Sequence, residues 1–97
     1  MIAAFVDDIY FQARLMDASH KAGFDISFVT QPVQADIYFI DLGREGAIEF
    51  AAAVSGKKIA FVSHVDDDMK SKAKAAGCRV MARSEFVKSL SEILRKA

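Results

Sequence analysis

A single cysteine, Cys78, excludes an internal disulfide and suits a reducing, cytoplasmic setting. Net charge is absent as well, because thirteen Lys and Arg balance thirteen Asp and Glu. A neutral chain has no general attraction to nucleic acid or to an anionic membrane, so neither is expected as a partner. No apolar run approaches the roughly eighteen residues of a membrane span, and the short apolar start lacks the basic flank and cleavage site of a secretory signal. Phosphate-cradling motifs of the GxGxxG or GxxxxGKS/T kind are missing, which argues against a nucleotide enzyme. What is present is an ordinary globular composition, 53% hydrophobic and 27% charged. The length suits one domain over residues 1–97.

Two hydrophobic periods alternate along the chain. Residues 2–6 form a continuous apolar run of strand length, followed by Phe11, Leu15, Ala18 and Ala22 at helical spacing and by Gly23, a helix stop. Short strands are expected at 26–29, at 37–40 (IYFI, apolar throughout), at 59–62 (IAFV) and at 79–82. Helical stripes fall on Ile48, Ala51 and Val54, on Met69, Ala73 and Ala76, and on Val87, Leu90 and Leu94. Apolar strands separated by amphipathic helices predict an α/β three-layer sandwich with a five-stranded parallel sheet covered on both faces.

One connection departs from this order. Between Thr30 and Asp36 stand only the five residues QPVQA. A helical crossover between parallel strands needs a dozen residues or more. Six extended peptide steps reach about 20 Å, enough to cross a small sheet but not to build a helix. Either the second strand lies antiparallel to the third, or the helix between them is lacking; the second alternative keeps the βα order regular elsewhere. It would leave a patch of sheet bare, and exposed apolar sheet predicts self-association as a homodimer.

In a parallel sheet the strand C-termini share one edge, where sites form. The residues ending the strands are Asp7 and Asp8 (in AFVDDIYF), Thr30, Asp41, Ser63 with His64, and Arg83 with Ser84. Three carboxylates gathered so closely need an offsetting charge. Either Mg²⁺ supplies it through Asp7, Asp8 and Asp41, or Arg83 supplies it permanently and no metal binds.

This constellation resembles the receiver domain of two-component response regulators, over nearly the whole chain. VDD matches the receiver's acidic pair at Asp7 and Asp8, and FID its phospho-acceptor at Asp41. FVSH matches the hydroxyl at Ser63, and AAGC the Ala-Gly turn before the last strand. The resemblance implies a flavodoxin-like fold, Mg²⁺ held by the acidic pair with Asp41, phosphoryl transfer to Asp41, and a protein partner such as a histidine kinase or an output protein. FVSHVD, AAGC and RSEF are also similar to a group of short bacterial receiver-like proteins. The chain departs from the receiver pattern in four places. Arg83 stands at the lysine position with Ser84 after it instead of proline; Val80 and Met81 stand where the fifth-strand aromatic would be; LGREG lacks a proline; and the helix before the third strand is lacking.

These departures favour a degenerate receiver that acts by docking and self-association, with no enzymatic activity. A phosphorylation-competent receiver using Asp41, Ser63 and Arg83 is the alternative, and a small-ligand or metal-binding protein using the acidic edge is a third. His64 is expected to be a hydrogen-bonded loop residue, His20 solvated and Cys78 a buried apolar group. Residues 66–68 (DDD) read as a helix-opening cap rather than a calcium loop. Tyr10, Phe11, Phe24 and Phe28 read as core or interface aromatics.

Overall fold

The computed structural model describes residues 1–63 and 66–96. In chain order the elements are β1 (Ile2–Phe5), α1 (Ile9–Lys21), β2 (Ile26–Phe28), β3 (Ile37–Asp41), α2 (Ala47–Ala53), β4 (Lys57–Val62), α3 (Asp67–Ala75), β5 (Cys78–Ala82) and α4 (Arg83–Arg95). The five strands join one sheet in the order β2-β1-β3-β4-β5, and every neighbouring pair is parallel. The open choice at the short link is therefore resolved: β2 is parallel to β1, and no helix separates β2 from β3.

The local chemistry explains where the helices begin and end. Asp8 caps α1, its side chain accepting from the backbone N–H of Tyr10 and Phe11, so this helix opens at Ile9, ahead of the first buried residue of its stripe, Phe11. Asp66 does the same for α3 by accepting from the Met69 N–H, as the acidic run there predicts. Gly23 and Gly77 follow α1 and α3 with φ of 81° and 88°, left-handed values that favour glycine at a helix end.

Helices cover both faces of the sheet. On one side α1 and α4 pack Phe11, Leu15, Phe86, Leu90 and Leu94 against Ile2, Ala4, Ile37, Phe39, Ile59 and Phe61. On the other, α2 and α3 bring Phe50, Ala51 and Ala73 against Ala3, Phe5, Tyr38, Ile40 and Ala60. All five residues of β3 are buried, which accounts for its apolar sequence. Lys58 joins the two helices of the second face. Its Nζ donates to the carbonyls of Ala51 and Val54 at the end of α2 and of Ala76 at the end of α3, at 2.8, 3.0 and 2.6 Å. A cation set against two helix C-termini satisfies carbonyls that have no partner within the helix.

The bare patch expected from the missing helix is not there. Ala3, Phe5 and Tyr38 are 0, 5 and 1% exposed. Three things take the helix's place. The loop from β2 to β3 lies over the sheet with Val29 and Ala35 packed on it, and the Tyr38 hydroxyl holds that loop by donating to the Val33 carbonyl (2.7 Å) and accepting from the Ala35 N–H (2.9 Å). Phe50 stacks on Phe5 with ring centroids 4.5 Å apart. The Arg44 guanidinium lies 4.0 Å over the Phe5 ring and donates to the Val29 carbonyl at 3.2 Å. At the edge, β2 contributes only Ser27 beside Ala3, a polar residue that tolerates exposure. No helix among the described residues is long and apolar enough to cross a membrane.

Removing the Tyr38 hydroxyl orphans the Val33 carbonyl and the Ala35 N–H. Tyr38→Phe is expected to cost about 1–2 kcal/mol in urea unfolding. Hydrogen exchange at the Ala35 amide should accelerate more than exchange in β3; equal acceleration in both would mean that the hydroxyl does not pin the loop.

Candidate functional site

The strand order places β1 beside β3 at the sheet's switch point, where chain crossovers leave in opposite directions and a crevice forms at the strand C-termini. Asp7 and Asp8 follow β1 there, and Asp41 ends β3. These are neighbouring strands, but the three carboxylates have separate partners.

Asp8 is engaged at both oxygens. Oδ1 accepts from the Tyr10 and Phe11 N–H groups at 3.0 and 3.2 Å, and Oδ2 accepts from Arg83 Nη2 at 3.0 Å. The Arg83 hydrogen bond, then the Phe11 N–H, hold its carboxyl below the ordinary 3.8. Asp7 is exposed, and its Oδ2 lies 3.8 Å from Arg44 Nε. Asp41 is buried, and its Oδ1 accepts the Gly43 N–H at 2.9 Å in a turn that its own side chain closes.

The two arginines mirror one another across the sheet. Arg44 lies 4.0 Å over Phe5 on one face and approaches Asp7. Arg83 lies 4.0 Å over Phe11 on the other and pairs with Asp8. Each guanidinium thus lies over a ring and beside a carboxylate, two contacts that a planar, delocalised cation combines better than a compact ammonium. Arg83 opens α4 immediately after β5, as its position after the last strand suggested. Arg44 was not expected at the site. Its sequence signal was present in LGREG, a cation between glycines three residues after a strand-ending aspartate, but nothing in spacing alone says which way such a side chain turns.

Ser63 follows β4, is exposed, and lines a groove of about 730 Å³ with Asp8, Arg83 and Ser84. Thr30 is exposed in the loop after β2. His64 lies outside the described residues. Cys78 is buried, and that burial pushes its thiol up, away from the thiolate that redox chemistry requires.

Comparison with solved structures matches this architecture. A response regulator from Thermotoga maritima superposes with a TM-score of 0.73 at 17% identity, over 98% of this chain and 93% of that one. The fold is that of a response-regulator receiver domain. The phosphorylated cyanobacterial phytochrome response regulator RcpA agrees, with a TM-score of 0.74 at 11% identity over 98% of this chain and 88% of its own. No family model and no curated protein matches the sequence.

The receiver fold raises the question of Mg²⁺. Among the described residues no three His, Cys, Asp or Glu side chains come together to hold a metal. The donor set explains why: both Asp8 oxygens are committed, one Asp41 oxygen closes a turn, and Asp7 turns toward Arg44. As arranged, Asp7, Asp8 and Asp41 do not fit a divalent ion, which needs carboxylate oxygens free to converge on it. Of the residues proposed from sequence, the structure brings Asp8, Ser63 and Arg83 to one groove and gives Asp7 and Asp41 other partners.

The Asp8 pair carries a sign. Its native pKa lies below its unfolded value, so the stability it contributes is present above about 3.8 and is lost as pH falls through the native value. Asp8→Asn keeps an acceptor for the helix cap but removes the charge. Its urea midpoint, followed from neutral pH into acid, should fall less steeply than that of the parent, and parallel acid limbs would show that the pair contributes no such linkage.

Proposed function

We propose that this chain is a receiver-type signalling module whose acidic site is balanced by its own arginines, and that it acts by docking a protein partner rather than by phosphoryl transfer. The observation that carries this reading is the double commitment of Asp8: a carboxylate that caps α1 with one oxygen and pairs with Arg83 through the other has both oxygens engaged, so Mg²⁺ would have to compete with Arg83 for it. Without the ion, the charge that builds during phosphoryl transfer to Asp41 lacks the metal that would offset it, and Arg44 and Arg83 are already turned to Asp7 and Asp8. Asp41 itself is 8% exposed, with Oδ1 accepting from Gly43. The signalling role is supported by the fold, and the docking role by the fixed charge balance of the site.

Amide NMR titration with Mg²⁺ and then beryllofluoride tests this directly. No saturating shifts are expected at Asp8, Asp41 or Ser63. Saturating shifts there that grow with beryllofluoride would make Asp41 a working acceptor and overturn the proposal.

The homodimer expected from a bare sheet face loses that support, because loop 29–36, Phe50 and Arg44 cover the face. We propose instead that the module docks as a single chain. Light scattering at high micromolar concentration should give the mass of one chain, and twice that mass would restore self-association.

A further inference from the structure

The groove that holds Ser63 and the Asp8–Arg83 pair runs between the N-terminal parts of α1 and α4. Its walls have a regular make-up. From α1 come Tyr10 and, one turn later, Arg14; from α4 come Val87 and Lys88. Tyr10 is 85% exposed and its neighbour Ile9 69%, the two most exposed large apolar residues among the described residues. An aromatic ring left in water beside a groove is the kind of side chain that anchors interfaces.

The charge of the groove is as informative as its shape. Four of its lining residues are charged: Asp8, Arg14, Arg83 and Lys88. Asp8 and Arg83 neutralise each other across the floor. Arg14 and Lys88 remain, one on each wall, and among the described residues neither has a carboxylate within 4.0 Å. In a chain with no net charge, this local cationic surplus comes from placement and not from composition.

We propose that this groove docks an acidic amphipathic segment of a partner protein, an apolar side chain seated between Tyr10 and Val87 and flanking carboxylates paired with Arg14 and Lys88. The proposal rests on the docking role proposed above and names the chemistry of the partner. A second copy of the chain suits the groove less well. Its acidic run at 66–68 is already in use, Asp66 capping α3 and Asp68 paired with Lys72 at 3.1 Å. A nucleic acid would find two cations without a carboxylate partner among the described residues of the groove, too few for the phosphate neutralisation that drives its binding.

The test uses the intact chain and a synthetic amphipathic peptide with glutamates one helical turn either side of a leucine pair. Amide NMR shifts should localise to Tyr10, Arg14, Val87 and Lys88, and the affinity should fall with added salt. Arg14→Glu with Lys88→Glu changes two exposed positions and should leave the circular dichroism spectrum intact. It should weaken binding by at least about tenfold, the scale set by two rim charges reversed. The same double variant should gain affinity for the peptide carrying lysine in place of glutamate. Shifts elsewhere, or unchanged affinity in the variant, overturn the proposal. Equal engagement of these residues by a single-stranded oligonucleotide or by phosphatidylglycerol vesicles overturns the choice of occupant. Failure here is separable from failure of the metal-free reading, which reports at Asp41 with Mg²⁺ and beryllofluoride and not at Arg14 or Lys88.

Discussion

A parallel sheet with apolar residues on both faces must be covered on both faces, and this chain has one helix fewer than that requirement demands. Much of what distinguishes the protein follows from how the deficit is met. With five residues between Thr30 and Asp36 the link cannot coil into a crossover, so it crosses the sheet as an extended strap held by the Tyr38 hydroxyl. The strap covers only part of the exposed face. Phe5 is closed over by Phe50 and by the guanidinium of Arg44. A cation serves there because the guanidinium lies over the ring while its nitrogens still reach the Val29 carbonyl and approach Asp7.

The same side chain that completes the core thereby enters the site. Arg44 reaches Asp7 from one face of the sheet as Arg83 reaches Asp8 from the other, so the charge of the acidic pair is balanced from within the chain. In the receiver pattern that this sequence resembles, a metal ion would supply that balance. Here the first aspartate is drawn outward and the second is fixed between a helix cap and an ion pair. A site preorganised in this way is the basis of the docking role proposed above.

The neutralised floor also gives the neighbouring groove its character. Had Asp8 been unpaired, a negative charge would have faced any acidic visitor; paired with Arg83, it leaves Arg14 and Lys88 to set the local potential. Core packing, site electrostatics and the proposed recognition surface are thus linked through two arginines lying on two phenylalanines.

Element type and order were legible in the sequence because they depend on local pattern. IYFI is apolar at every position because both faces of β3 are buried, and Gly23 and Gly77 stand where α1 and α3 stop because a left-handed residue is needed there. The gathering of Asp8, Ser63 and Arg83 at one groove was legible too, since parallel strands put their C-termini on one edge. Two features were not. Coverage of the sheet face depends on where a five-residue strap lies and which side chains fold over it, and hydrophobic periodicity carries no information about either. The partners of Asp7 and Asp8 depend on the direction of the Arg44 and Arg83 side chains, which is set by rings distant in the chain that they meet only after folding. The alternation of elements, the parallel sheet and the acidic edge follow from the order of residues, because backbone propensity and burial period are local. Closure of the face, and the arginine set beside each of Asp7 and Asp8, arise only on folding, because both are contacts between segments far apart in the chain.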